Sequence, residues 1–201
     1  MNGVLTLSPT ESRELLARAR KGEAGAREEI ARSHRRAAYL FALQLVGNPD
    51  DAFDIAQDAM LRFFTTLDRF QGGRPVRPWL FAIVRNRARD HWRRGKVRRH
   101  QSLDAGTPDL ASALADRRTD PERDAIASER RKLLWVAISR LDSAKREILV
   151  LRDFHDLSYA EIAHALEIPI GTVMSRLHAA RKRLRREFSA LQAPDQSRND
   201  P

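Results

Sequence analysis

The sequence predicts an all-α protein built as two small helical domains joined by a flexible linker. Three observations lead there. Apolar residues recur at helical spacing along most of the 201 residues, and strand-like alternation is almost absent. The nine glycines and nine prolines fall mainly between the periodic stretches. Between Gly95 and Asp120 the periodicity dissolves into scattered Gly, Pro, Ser and Asp. The expected organisation is an N-terminal domain over residues 1–95, a linker over 96–120, a C-terminal domain over 121–190 and a polar, disordered tail over 191–201.

Each element has a local reason. Ser8-Pro9-Thr10-Glu11 opens a short helix, with proline in the first turn and a capping-box acid, and Lys21-Gly22 ends it near Arg20. A long amphipathic stretch runs from about Gly25 to Val46 with Ile30, Ala37, Tyr39, Leu40, Phe41, Leu43 and Leu45. Gly47-Asn48-Pro49 stops it and caps the next helix, expected from about Asp50 to Phe70. Gln71-Gly72-Gly73-Arg74-Pro75 reads as a flexible loop, and a further helix runs from about Trp79 to Arg94. Beyond the linker, Pro121 starts a helix to about Leu141 whose core face is Leu133, Leu134, Ala137, Ile138 and Leu141. Ser143 is the expected cap of a shorter helix holding Ile148, Leu149, Leu151 and Phe154.

The last two helices form a hairpin over SYAEIAHALEIPIGTVMSRLHAARKRLRR, from Ser158 to Arg186. Ser158 and Glu161 make an S-x-x-E start, and Ile162, Ala163 and Leu166 line an apolar side. Pro169 suits the start of the second helix, where Val173, Leu177, Ala180 and Leu184 form one core-facing stripe. Thr172, Ser175, Arg176, Ala179 and Arg183 fall on another stripe, short side chains flanked by arginine, which a major groove accommodates. Arg181, Lys182, Arg185 and Arg186 extend the positive charge toward phosphates. The plain alternative is an ordinary helix pair with solvated arginines. Glu167 favours that alternative mildly, because it stands where a left-handed turn residue would cost about 1 kcal/mol.

Composition agrees with a nucleic-acid partner. The formal net charge is +10, and arginine far exceeds lysine. With no cysteine, disulfides and thiolate metal sites are excluded, and a reducing compartment fits. No apolar run approaches the roughly 20 residues of a membrane span. The opening MNGVLTLSPTESRELL lacks the basic start and apolar core of a secretory signal.

The first domain has its own signals. Asp50, Asp51, Asp54 and Asp58 crowd the start of one helix, which the helix dipole alone accounts for. Asp51, Asp54 and Asp58 also share a face with Gln57, while Phe53, Ile55, Met60, Phe63 and Phe64 supply apolar surface. Such a helix suits docking on a basic protein, and the residues alone leave both readings open. From Arg74 to Arg99 ten basic residues meet one acid, Asp90. Helical geometry puts Phe81, Val84 and Ala88 on the core side and Trp79, Asn86, Arg89 and Arg93 opposite. Trp can stack on an unpaired base and Asn can bond a base edge. The rival reading is a Trp packed under the Gly72-Gly73 loop and an Asn that merely solvates.

Taken together, these motifs resemble bacterial sigma factors of the extracytoplasmic-function group. DAFDIAQDAMLRFFTTLDRF resembles the core-polymerase-binding helix of their region 2, and RPWLFAIVRNRARDHWRR resembles the segment that reads the −10 element. LVLRDFHDLSYAEIAHALEIPIGTVMSRLHAARKRLRRE resembles region 4, which reads the −35 element. The likeness covers roughly residues 20–95 and 121–188 in family order. It implies a region 2 bundle that docks on core RNA polymerase through Asp51, Asp54, Gln57, Asp58 and Leu61. It implies −10 contacts by Arg74, Arg77, Trp79, Asn86, Arg89 and Arg93, with the Gln71–Arg77 loop holding a flipped base. It implies −35 contacts by Thr172, Ser175, Arg176 and Ala179, with Arg181, Lys182 and Arg183 near phosphates.

The implied protein is a cytoplasmic, non-catalytic subunit with no cofactor, no metal and no membrane insertion. Its implied partners are core RNA polymerase, promoter DNA and, as is usual in the family, an anti-sigma factor. The linker, with Asp104, Asp109, Asp116 and Asp120, would thread the polymerase channels in imitation of nucleic acid. The sequence departs from the family at Arg74-Pro75-Val76-Arg77-Pro78-Trp79, where relatives carry a Ser-Ser-Phe-Arg-Thr-Trp-like loop and Val76 replaces the usual Phe. Two rival classes stand beside this one. The first is a free helix-turn-helix regulator with a helical dimerisation or ligand domain. The second is a nucleic-acid enzyme, against which speak the scattered His34, His91, His100, His155, His164 and His178 and the lack of a nucleophile motif or phosphate loop.

Overall fold

The computed structural model describes residues 9–69, 75–99 and 121–192. All regular structure among them is helical. The helices are α1 (Pro9–Arg20), α2 (Ala24–Val46), α3 (Pro49–Thr65), α4 (Val76–Arg99), α5 (Pro121–Ser139), α6 (Ser143–Asp153), α7 (Tyr159–Leu166) and α8 (Ile170–Gln192), with a 3-10 turn at Leu67–Arg69. No helix among the described residues is long and apolar enough to cross a membrane.

The boundaries follow from local chemistry. Gly47 ends α2 at φ 81°, a left-handed conformation that glycine adopts without a Cβ clash, and its N–H reaches Leu43 O at 2.8 Å. Asn48 then caps α3, its Oδ1 accepting from the N–H groups of Asp50 (2.9 Å) and Asp51 (3.0 Å), with Pro49 at the first helical position. The helix expected to run to Phe70 stops at Thr65, where Thr66 turns back on the carbonyls of Arg62 and Phe63. α6 is capped by Asp142 and not by the expected Ser143: Asp142 Oδ1 accepts from Lys145 N at 2.9 Å. The hydrogen bond from the Lys145 side chain is the main reason the Asp142 carboxyl sits below its usual range.

α1–α4 form an N-terminal bundle with α2 packed on the other three. Phe41, Phe63, Leu80, Phe81 and Val84 are buried in it, and the Phe41 and Phe81 rings lie 4.8 Å apart. α5–α8 form a C-terminal bundle in which α8 packs on α5, α6 and α7. Ile138, Ile148, Leu151, Ile162, Val173, Leu177 and Ala180 are buried there. Trp135, absent from the expected core face, is buried as well, while Leu133 and Leu134 are only half-buried. Phe154, expected within the short helix, instead follows its end and lies at the surface with its ring 4.8 Å from Trp135.

The sequence suggested two domains on a string. Instead α4 packs against α7 and α2 against α6, and one buried apolar cluster runs through both bundles. α4 runs on to Arg99, and residues 100–120, with the four linker acids, lie outside the described set.

Candidate nucleic-acid interface

The C-terminal hairpin is built as its sequence suggests. Ser158 and Glu161 close a full capping box: Ser158 N–H donates to Glu161 Oε2 at 2.8 Å and Glu161 N–H to Ser158 Oγ at 3.3 Å. Glu167 adopts the left-handed conformation, φ 58° and ψ 45°, and Ile168 N–H returns to Ala163 O at 3.0 Å. The turn therefore forms despite lacking glycine, at a strain of about 1 kcal/mol. Pro169 precedes α8, and its carbonyl accepts from Thr172 N (2.9 Å) and Val173 N (3.2 Å).

Along α8 the predicted stripes separate. Val173, Leu177 and Ala180 are buried. Ser175, Arg176, Ala179, Arg181, Lys182 and Arg183 are exposed, and Thr172 is half-buried. Arg181 is held by Asp153 of α6, with Nε 3.2 Å from Oδ2, and this hydrogen bond raises its pKa further. Arg183 pairs with Glu187 at 2.6 Å. The exposed side chains of Ile170 and Met174 at the start of α8 were not singled out from sequence.

The α4 face differs more from expectation. Trp79 was placed on the exposed side, but it is half-buried, its ring 4.7 Å from Phe63. Residue 79 lies in the first turn of α4, where the end of α3 covers the helix. Val76 and Pro78 are buried too, so the loop ends at Pro75 and Val76 belongs to the core. Residues 71–74, including Arg74, lie outside the described residues.

Arg77 is half-buried, with its guanidinium 5.5 Å over the Phe81 ring and Nη2 donating to His155 O at 3.2 Å. Burial lowers its pKa, against the pull of Glu161 and Asp156, and its Nε is buried without a partner. Arg85, counted in the sequence as one basic residue among many, is buried and donates to Ala165 O at 2.9 Å. The missed signal was its register, since Phe81, Arg85 and Ala88 share one stripe. Asn86 is exposed, and its Oδ1 accepts from Arg85 Nη2 at 3.1 Å. Arg89 grips Glu147 of α6 with both arms, at 3.0 and 2.8 Å, and Glu147 is 1% exposed. Arg93 is exposed and pairs with Asp90 at 3.2 Å. Glu147, His155 and Gln44 gave no sequence signal because their partners lie 58 to 111 residues away.

The α3 face is open. Asp54, Gln57, Asp58 and Leu61 are exposed and Asp51 is half-buried. Two of these acids are partly engaged by α4: Asp58 lies 3.3 Å from Arg87 and Asp51 lies 3.2 Å from His91. Phe53 is 55% exposed and Leu61 66%, large apolar surface for single side chains. Phe53, Gln57 and Met60 line a groove of about 550 Å³ with Arg35, Arg36 and Tyr39 of α2.

Comparison with known proteins agrees with this geometry. The sequence model of Sigma-70 region 2 matches residues 30–98, and that of Sigma-70, region 4 matches residues 131–184. The chain is 30% identical to the ECF RNA polymerase sigma factor SigW of Bacillus subtilis, over 86% of this chain and 94% of that one. It is 33% identical to the RNA polymerase sigma factor NccH of Alcaligenes xylosoxydans xylosoxydans, over 88% and 94%. Among solved structures, CnrH in complex with the cytosolic domain of CnrY superposes with a TM-score of 0.65 at 25% identity, over 89% of this chain and 97% of that one. These matches, joined to a capped helix-turn-helix and an exposed acidic-apolar α3 in one chain, establish that the protein belongs to the extracytoplasmic-function group of the sigma-70 family of RNA polymerase sigma factors.

Proposed function

We propose that this sigma factor docks on core RNA polymerase through α3 and carries it to promoters by reading two elements. The observation that carries the reading is the pairing of two outward surfaces on one chain: the Arg-flanked stripe of α8 and the acidic-apolar face of α3. Thr172, Ser175, Arg176 and Ala179 meet base edges of the −35 element in the major groove, and Arg181, Lys182 and Arg183 stand near phosphates. Arg74, Arg77, Trp79, Asn86, Arg89 and Arg93 serve the −10 element. Asp51, Asp54, Gln57, Asp58 and Leu61 make the polymerase contact, and we add Phe53 to them for its exposure.

Functionally the chain divides at 1–95, 96–120, 121–190 and 191–201. The protein is a non-catalytic specificity subunit acting in the cytoplasm. An anti-sigma factor fits as a further partner, since another structure of the same fold, the sigma factor RpoE from Bartonella quintana, was solved in complex with the anti-sigma factor NepR.

In-vitro transcription tests the reading. Purified core enzyme with this chain, on a genomic template pool, is expected to give discrete start sites absent with core alone. Arg176→Ala should weaken them without loss of core binding. A pool with no chain-dependent start site overturns the proposal.

A further inference from the structure

The groove between α2 and α3 has an uncovered apolar floor. That floor is Ala31 and Tyr39 of α2 with Phe53, Ala56 and Met60 of α3, and the volume is about 550 Å³. Helical register explains its shape. Ala31, Arg35 and Tyr39 are spaced by four, and Phe53, Ala56 and Met60 by three and four, so each set forms one stripe. The two alanines leave depth between the larger side chains. Phe53 is 55% exposed, and Tyr39 and Met60 are half-buried.

The two flanks of α3 differ in charge. The flank toward α4 carries Asp51, Asp54 and Asp58, and Arg87 and His91 of α4 engage two of these acids. The flank toward α2 presents Phe53, Ala56, Gln57 and Met60, none of them charged. Across the groove stand Arg35 and Arg36, both exposed. α2 has no acid from Ala31 to Val46, and neither arginine forms an ion pair among the described residues. A guanidinium offers five N–H donors in a planar fork that matches a carboxylate or a phosphate. The groove therefore joins apolar surface to positive charge that no acid neutralises.

Size selects the kind of occupant. The volume falls in the range of small-molecule sites, about 300–1,000 Å³. From Ala31 to Tyr39 the groove is about 12 Å long at the helical rise. A docked helix of ordinary length runs about 16–20 Å and would overhang it.

We propose that this groove binds a small amphipathic anion, with its alkyl or aryl body on Tyr39, Phe53 and Met60 and its carboxylate or phosphate head on Arg35 and Arg36. Burial of the body drives binding, and charge-assisted hydrogen bonds orient the head. The occupant covers Phe53 and reaches Gln57, so it competes with core polymerase for α3. The competition rests on the docking reading given above, and the site itself does not.

Isothermal titration of the full chain tests the site. The probes are decanoate and decyl phosphate, with decyltrimethylammonium as the control of opposite charge. Saturable binding of an anion, one per chain, is expected, and the tighter of the two identifies the head. Arg35→Gln and Arg36→Gln should each weaken it about tenfold. Arg32→Gln, an exposed change of the same charge outside the groove, should not. Ala31→Leu fills the floor from a half-buried helical position and should abolish binding, with circular dichroism to check helix content.

The proposal is overturned if neither anion binds saturably, if the cation binds as well, or if Arg32→Gln loses as much as Arg35→Gln. Should both anions fail while Ala31→Leu weakens polymerase binding, the groove belongs to the polymerase and the proposal is wrong. Anisotropy of the fluorophore-labelled chain with core polymerase separates the two layers. Saturating probe should weaken that binding in the native chain and have no effect in Ala31→Leu. Probe binding as expected with polymerase affinity unchanged leaves the site standing and refutes the shared use of Phe53 and Gln57.

Discussion

His155 makes the contact between the N-terminal and C-terminal bundles sensitive to acid, in a direction and size that follow from its surroundings. Gln44 Oε1 has no proton to give, so His155 Nε2 carries the hydrogen of their 2.7 Å bond. Burial is the main force on the ring, with the Arg77 cation of α4 second, and together they push its pKa down to about 3. The hydrogen-bond partner of the ring, Gln44 of α2, is neutral, and His34 of α2, its pKa lowered first by burial, is also pushed down by the same Arg77 cation. Asp156 and Glu161 act on Arg77 from the C-terminal side.

When the bundles part, His155 returns to water and to a pKa of about 6.5. The closed state therefore holds fewer protons than the open one. Its full stability is present above pH about 6.5 and is lost progressively as pH falls toward 3. At about pH 5 the linkage is worth about 2 kcal/mol, or roughly thirtyfold in the closure constant. Energy transfer between labels at Asp68→Cys and Ser189→Cys, titrated from about pH 7.5 to about pH 5, should fall in the native chain. It should stay flatter in His155→Phe, which keeps the ring contacts with Phe41 and Phe81 but cannot titrate. Identical titration curves for the two chains would refute the reasoning.

Other perturbations have defined outcomes. Arg89→Ala leaves Glu147 buried without its partner. Since Arg89 is itself partly exposed, the loss should sit at the low end for such a pair, about 2–3 kcal/mol by urea titration. Ser158→Ala removes one half of the capping box and should cost about 1 kcal/mol, a drop of roughly 2–4 °C in Tm for a chain of this size. Glu167→Gly relieves the left-handed strain and should raise stability by up to about 1 kcal/mol, read in the same melts, with duplex binding unchanged. Phe53→Ala, at an exposed side chain, should leave Tm within about 1 °C and weaken core-polymerase binding about tenfold, measured by fluorescence anisotropy.

Much of this protein was legible in its sequence because the governing interactions are local. The helix-turn-helix needs only Ser158 to meet Glu161 and one apolar stripe, Val173, Leu177 and Ala180, to face inward. The Asn48 cap and the Gly47 stop act across two to four residues. Spacing along one helix reports such contacts directly. Trp79 and Val76 were misread because a helix face is assigned by what covers it, and α3 covers the first turn of α4. Arg85 was legible in its register with Phe81 and Ala88, whereas Glu147, His155 and Gln44 carry no local mark: each is an ordinary polar residue until the fold brings a partner from 58 or more residues away. The sequence by itself determined eight helices' worth of periodicity, the family and the charged stripes among the described residues. Only the tertiary structure decided that the two bundles close on one another, because that choice rests on desolvated pairs whose energy exists only once both sides leave water.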